Sequence, residues 1–180
     1  MAFSFEGFVE DVISAAKQEY PDKAVRTYLE ECVSDPDPII AVTPSEGDNE
    51  ILLHEDEALS IWWCKFDPHV LMPPHEHKLT VHIAAYKGGE KNILFKRENG
   101  MLTHDKTHVV EAGEVFTMYD DELHAVTGNG NEPSYSLHVY MGPLTTLQRD
   151  LFDWKTGDPV EFSMENFNNM KRASSELPAY

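Results

Sequence analysis

The sequence predicts an all-β domain, a sandwich or barrel, with two short helices in front of it. Short apolar and β-branched runs recur from Ile51 onward, and turns containing glycine or acidic residues separate them, as at 87–90 and 99–100. Before Ile51 the apolar residues follow helical spacing instead. Short strands at this spacing are typical of sandwiches and barrels.

The N-terminal segment predicts two helices between residues 5 and 33, interrupted at Pro21. Ser4 can cap the first helix, and Pro21 can open the second. The proline-containing segment 34–38 ends it. We expect these helices to pack on the outside of the barrel rather than to form a separate domain.

Seven later runs have the length and composition of strands, at residues 59–66, 80–86, 92–96, 108–111, 114–119, 124–127 and 134–140. The chain is therefore divided into an N-terminal helical segment at 1–47, a barrel at 48–167 and a peripheral tail at 168–180.

The length and net charge of the chain limit the kinds of binding partner that we expect. A chain of 180 residues, 41% of them hydrophobic, suits one domain with a sizeable core. Its formal net charge of −18 would repel phosphate groups, so we expect neither a nucleic acid nor a membrane as partner. With no basic leader and no apolar run of about eighteen residues, a cytoplasmic location is expected. Cys32 and Cys64 are then reduced thiols.

The most informative segment is His75-Glu76-His77, which directly follows Pro73-Pro74. Side chains alternate along an extended chain, so two histidines one residue apart face the same way and can hold one metal ion. His124, which follows the turn-like segment 119–122, is the candidate third ligand. Imidazole suits iron, nickel, copper and zinc, so ligand type leaves the metal open. Surface or core histidines without a metal are the alternative interpretation.

A second pattern is Ser136-x-His138-x-Tyr140, whose three side chains share one face of a predicted strand. Such a row can form a hydrogen-bond relay that ends in a phenol. Three half-buried strand residues without a chemical role are the alternative.

These patterns resemble the two sequence motifs of the cupins. The first motif is HxH, three or four residues, an acidic residue, six residues and a glycine. His75, His77 and Gly89 fit it, and His82 stands at the acidic position.

In the second cupin motif, Gly113 and His124 match, and Asn129 matches one residue late. Tyr119 and Asp121 replace the proline and the second glycine of that motif. The resemblance implies a double-stranded β-helix, a jelly-roll barrel with the short N-terminal helices outside.

Within the cupins, residues 48–165 resemble the thiol dioxygenases, the cysteine dioxygenase-like branch. The shared features are the Ser-x-His-x-Tyr strand, the turn Met141-Gly142-Pro143 and the stretch Phe152-Asp153-x-x-Thr156-Gly157. The resemblance implies three histidines on non-haem iron(II) without a carboxylate ligand. It also gives Tyr140 a role at the bound oxygen or substrate, with His138 and Ser136 orienting it.

His82 departs from that family's pattern. The animal cysteine dioxygenases have a cysteine there that cross-links to the tyrosine, and bacterial relatives often have glycine. His82 could be a fourth metal ligand or a catalytic hydrogen-bond donor beside the open coordination positions. A cross-link is excluded at this position, unless Cys64 on an earlier strand approaches Tyr140.

Charge favours an anionic substrate, since three neutral imidazoles leave iron(II) with its full positive charge in a low-dielectric pocket. A thiolate would neutralise it and is a soft ligand. The arginine that clamps the carboxylate in amino-acid thiol dioxygenases aligns with Asn49 here. Arg97 or Arg149 could supply a guanidinium from elsewhere. A smaller thiol, or another oxidisable anion such as a diketone enolate, stays open.

The sequence therefore predicts a dioxygenase that uses O2 to oxidise a small thiol or related anionic metabolite. Iron(II) is the expected cofactor, with nickel, zinc, copper or manganese as alternatives. The alternative function is a metal-binding cupin without oxygenase activity, either a ligand-binding protein or a metal-dependent lyase or isomerase. A homodimer is expected by analogy with other cupins. The remaining histidines are predicted to lie on the surface, namely His54, His69, His104 and His108.

Overall fold

The structure is a computed structural model that describes residues 3–177. The ends of the predicted segments 1–47 and 168–180, at residues 1–2 and 178–180, lie outside the described residues. The four α-helices of the described part are α1 Phe5–Ala16, α2 Pro21–Ser34, α3 Asp37–Ile40 and α4 Met164–Asn169.

The first two helices begin where the sequence predicts. The Ser4 hydroxyl accepts a hydrogen bond from the backbone N–H of Gly7, at 3.1 Å, and Pro21 occupies the first turn of α2. Helix α3 is an addition to the prediction, because a proline in the first turn of a helix interrupts no hydrogen bond.

The strands are β1 Glu50–Glu55, β2 Ser60–Phe66, β3 Val70–Leu71, β4 His75–Glu76, β5 Val81–Lys87, β6 Gly89–Glu98, β7 Met101–Val110, β8 Val115–Met118, β9 Leu123–Asn129, β10 Ser134–Tyr140, β11 Asp150–Phe152, β12 Pro159–Glu161 and β13 Arg172–Ala173. One sheet has the order β1-β2-β10-β5-β8, and the other has the order β12-β11-β4-β9-β6-β7. All pairings within them are antiparallel. Neighbouring strands in space are mostly distant in sequence, so the chain winds between two facing sheets as a double-stranded β-helix.

The N-terminal helices cover the outer face of the first sheet. Val12 and Leu29 are fully buried there against Leu137 and Val139 of β10. Each such side chain contributes about 1.5–3 kcal/mol through the apolar area it removes from water. Side chains alternate along β10, so Ser136, His138 and Tyr140 face the opposite way, toward the inside of the barrel.

The hairpin of β6 and β7 is longer than the sequence predicts. It includes both His104 and His108 in β7, whereas the predicted strand begins only at His108. Most side chains of β7 face solvent and are polar. The strand therefore lacks the run of apolar residues from which the other strands are predicted. Of the four histidines predicted at the surface, His69 and His108 are exposed, and His54 and His104 are half-buried.

The C-terminal segment returns to the barrel. Strand β13 pairs with β3, and Phe167 of α4 is buried with the apolar residues beside β2 and β9. Within residues 3–177, no helix has both the length and the apolar character that crossing a bilayer requires.

Candidate metal centre

His75 lies in a very short strand, β4, and His77 follows directly after this strand. Pro73 and Pro74 keep the chain extended as it enters β4, since proline fixes its own backbone and restricts the residue before it. His75 in β4 pairs directly with His124 in β9. The two residues are 49 positions apart along the chain, and the register of one antiparallel pair brings them together.

The three predicted ligands converge inside the barrel. Nε2 of His75 lies 3.0 Å from Nε2 of His77 and 3.1 Å from Nε2 of His124. All three side chains are buried, with at most 7% of their surface exposed. Within residues 3–177, this is the one cluster of histidine, cysteine or carboxylate groups with the geometry to hold a metal ion.

The hydrogen bonds at the outer ring nitrogens fix two of these imidazoles. Nδ1 of His75 lies 2.9 Å from the carbonyl oxygen of Pro73, which can only accept, so this nitrogen carries the proton. Nδ1 of His124 lies 2.7 Å from Oδ1 of Asn92 and donates to it. In a neutral imidazole the other nitrogen, Nε2, then carries no proton and presents a lone pair.

Two lone pairs 3.1 Å apart repel each other unless a cation lies between them. Burial lowers the pKa of His75 to about 3. Burial, and then the neighbouring histidines, hold the pKa values of His77 and His124 well below the usual range. A proton is therefore disfavoured as the bridging cation. Neutral imidazoles aimed at one point, two of them with fixed tautomers, are a donor set that suits a transition metal.

The Ser-x-His-x-Tyr strand lies on the neighbouring wall. Nδ1 of His138 is 3.3 Å from the Tyr140 hydroxyl, and Nε2 of His138 is 3.0 Å from the Ser136 hydroxyl. The Tyr140 ring packs edge-on against His77, with the ring centroids 5.0 Å apart. Burial raises the pKa of Tyr140 to about 12, so the phenol keeps its proton at neutral pH.

Two functional residues escaped the sequence analysis, Glu90 and Asn92 of β6. Glu90 is fully buried and accepts a hydrogen bond from Ser136 at 2.6 Å, and its carboxylate lies 3.0 Å from Nε2 of His138. Asn92 joins Glu90 to the ligand His124. Two polar residues at alternate positions of a strand next to the Gly88-Gly89 turn were the available signal.

His82 does not join the three histidines, which corrects its prediction as a fourth ligand or catalytic donor. Its neighbours in sequence, Val81 and Ile83, face the barrel interior, so strand alternation turns His82 toward helix α2. There Nδ1 of His82 lies 2.9 Å from the Thr117 hydroxyl, and Nε2 lies 3.2 Å from a carboxylate oxygen of Asp22.

A cavity of about 1010 Å³ opens onto the three histidines. Tyr140, His138 and Cys64 line it, as does Arg149, whose guanidinium carbon lies 3.4 Å from the centre of the Phe162 ring. Among the described residues, no carboxylate lies within ion-pair distance of Arg149.

Two further residues that the sequence analysis names can be located in the structure. Arg97 is exposed and donates from Nε to the carbonyl oxygen of Gly157, at 3.0 Å, so it lies away from the cavity. Cys64 pairs with Ser136 across the sheet, whereas Tyr140 pairs with Ser60, four residues along β2. Cys64 is therefore not the cross-strand neighbour of Tyr140.

The fold and the buried cluster together define a double-stranded β-helix whose three histidines could bind a metal ion. No protein-family model matches the chain, and a search of curated proteins finds no match.

Solved structures similar to this chain include double-stranded β-helix proteins. An uncharacterized conserved protein from Klebsiella pneumoniae is 20% identical over 61% of this chain and 89% of its own, with a TM-score of 0.42. An RmlC-like cupin family protein from Methanocaldococcus jannaschii is 15% identical over 57% of this chain and 87% of its own, with a TM-score of 0.45. An oxalate oxidase in complex with glycolate is 18% identical over 54% of this chain and 53% of its own, with a TM-score of 0.42. Similarity this distant carries no argument about the reaction.

Proposed function

We propose that this protein is a non-haem iron(II) dioxygenase that oxidises a small anionic thiol with O2. The observation that carries the proposal is the convergence of three neutral imidazoles, without a carboxylate, beside the Ser136-His138-Tyr140 row. In the overall reaction, both oxygen atoms of O2 are added to the sulfur of a thiolate, giving a sulfinate. The sulfur loses four electrons and O2 gains four, so no further reductant is needed.

The charge of the site supports an anionic substrate. His75, His77 and His124 contribute no charge of their own, so a bound divalent metal keeps its full charge in a buried cavity. Iron(II) bound there would supply the redox chemistry that activates O2. A thiolate is the soft anion that best neutralises such a centre.

Arg149 supports a second anionic group on the substrate. A half-buried guanidinium without an ion-pair partner, on the wall of the same cavity, is suited to a carboxylate, which it can bind with two parallel hydrogen bonds. Glu50 lines this cavity too, and burial raises the pKa of its carboxyl group. A thiol that carries a carboxylate therefore fits the site better than a neutral thiol.

The ring of Tyr140 lies against His77, so the phenol lies beside the three histidines in the cavity. With its proton retained, the phenol can donate a hydrogen bond to substrate or oxygen. The alternative of a four-histidine binding protein loses its basis, because His82 lies on the opposite face of β5.

The test combines elemental analysis of protein purified without chelators with oxygen uptake after anaerobic iron(II) loading, across a panel of small thiols. About one iron per chain and thiol-dependent uptake with sulfinate as product are expected. Tyr140→Phe should keep the iron and lose roughly a hundredfold in kcat, the cost of removing one well-placed donor. Turnover that is independent of oxygen would replace the proposal with a lyase or isomerase.

A further inference from the structure

The feature that the proposed function leaves unexplained is the buried carboxylate of Glu90. It is fully buried in β6 and reaches across the barrel to β10 of the other sheet. Burying an isolated carboxylate costs several kcal/mol, so its hydrogen-bond partners decide what it does. They are Ser136 at 2.6 Å, His138 at 3.0 Å and Asn92 at 3.2 Å.

The direction of each of these hydrogen bonds follows from the carboxylate, which can only accept. Ser136 must donate its hydroxyl proton to Glu90, and the hydroxyl then has only lone pairs left for His138. Asn92 must present its Nδ2 to Glu90, which leaves its Oδ1 for Nδ1–H of the metal ligand His124. Nε2 of His138, with acceptors on both neighbours, must carry a proton.

The remaining nitrogen of His138, Nδ1, faces the Tyr140 hydroxyl, and its protonation decides which way that hydrogen bond runs. If Nδ1 is bare, the Tyr140 O–H donates to it and cannot donate into the cavity. If Nδ1 carries a proton, His138 donates to the Tyr140 oxygen, and the phenol proton is free to point at the substrate.

We propose that Glu90 is a positioning residue that keeps His138 in its doubly protonated form and thereby turns the Tyr140 O–H into the cavity. A carboxylate on the other sheet then sets the proton positions of the Ser-x-His-x-Tyr row. Ser136 has only a supporting role. This deepens the proposed function at the same site, although the proton positions do not depend on which reaction the site performs.

The charges of the pair agree with this arrangement. Burial by itself disfavours the imidazolium, but neighbouring acidic groups raise the pKa of His138 above its usual value. Of these groups, Glu90 supplies the negative charge at neutral pH, because burial raises the pKa of the Cys64 thiol. Burial likewise opposes ionisation of Glu90, yet the charge of His138 and the hydrogen bonds from His138, Ser136 and Asn92 lower the pKa of that carboxyl group.

The test is nitrogen NMR of protein labelled with 15N-histidine, in the metal-free and the zinc-loaded forms, because zinc is diamagnetic. His138→Gln assigns the signal by removing it. In the unchanged protein both ring nitrogens of His138 should be protonated at pH 7. In Glu90→Gln, which keeps the shape and removes the charge, one nitrogen should be bare at the same pH.

Ser136→Ala is the matched control, because it removes a hydroxyl from the same cluster but leaves the carboxylate against His138. Ser136→Ala should keep both ring nitrogens of His138 protonated. Glu90→Asp should restore the doubly protonated form of His138 if the shorter carboxylate still reaches it. A bare ring nitrogen on His138 in the unchanged protein at pH 7 would overturn the proposal, even if Glu90→Gln failed to fold.

Oxygen uptake separates this proposal from the function itself. Glu90→Gln should lose roughly a hundredfold in kcat at unchanged iron content, as expected for loss of one aligned donor. Should the unchanged protein consume no oxygen with any thiol, the proposed function fails, and the NMR result still decides the role of Glu90.

Discussion

At the scale of single residues, burial and hydrogen-bond partners set the charges of the groups in the site. His75 and His124 are neutral and correctly oriented because a carbonyl and an amide oxygen accept their Nδ1 protons. Arg149 differs, because its guanidinium stacks on Phe162 and no described carboxylate lies within ion-pair distance of it. A cationic side chain in the cavity wall without an ion pair is therefore the one that should determine which substrates bind.

Replacing Arg149 with methionine should raise KM for carboxylate-bearing thiols by roughly 10- to 100-fold, since a charged hydrogen bond contributes about 1.5–3 kcal/mol. KM for thiols without a carboxylate should change little. The measurement is steady-state oxygen uptake with a matched pair of thiols that differ only in that group.

The matched control is Arg97→Met, which removes a guanidinium outside the cavity and should leave both KM values unchanged. An equal effect of Arg149→Met on both thiols would contradict a carboxylate-binding role.

At the scale of elements, strand β5 separates two environments with one row of side chains on each face. Val81 and Ile83 face the barrel, and His82 faces α2 with Asp22, Arg26 and Thr117 around it. Burial, which outweighs the opposing charge of Asp22, lowers the pKa of His82. The contact between α2 and the barrel therefore depends on a neutral histidine.

His82→Gln should make the free energy of unfolding less sensitive to acid. An unfolded histidine titrates near pH 6.5, and the folded one below it, so the unfolded state takes up a proton first as pH falls. Stability from this group is present above about pH 6.5 and is lost below it, at up to about 1.4 kcal/mol per pH unit. Chemical denaturation at pH 7.5 and pH 5.5 measures the difference, and identical slopes for the two proteins would contradict this prediction.

At the scale of the whole molecule, the candidate metal centre lies where both sheets and the C-terminal segment meet. His75 and His124 belong to one sheet, Tyr140 belongs to the other, and Phe167 of α4 packs edge-on against His75 with the ring centroids 6.1 Å apart. Ligands contributed by distant parts of the chain are brought together only by folding, so metal binding should stabilise the whole barrel.

Metal removal should lower the melting temperature. A ligand at a hundred times its Kd contributes about 2.7 kcal/mol, and each kcal/mol shifts Tm by about 2–4 °C in a chain of this size, so a fall of roughly 5–10 °C is expected on adding EDTA. His124→Ala should abolish the response to EDTA. His82→Gln should retain it, because that histidine lies outside the cluster, and loss of the response in His82→Gln would contradict the three-histidine site.

Local patterns in the sequence were sufficient for an all-β sandwich or barrel, the two N-terminal helices and the row of side chains at Ser136, His138 and Tyr140. The double-stranded β-helix came from the resemblance to the cupin motifs. Alternation along a strand and spacing along a helix are local properties, so they can be read without the rest of the chain. The convergence of His75, His77 and His124 also followed, because an HxH pair on one strand needs a third ligand from a neighbouring strand.

What only the tertiary structure decided is which face each strand turns inward and which strands lie opposite each other. His82 and Tyr140 both lie on interior strands, yet register and helix packing place one under α2 and the other at the metal cavity. Glu90 meets His138 across 48 residues of chain, and Arg149 instead of Arg97 reaches the cavity. Such contacts depend on how two sheets pack, and side-chain periodicity along one strand carries no information about that packing.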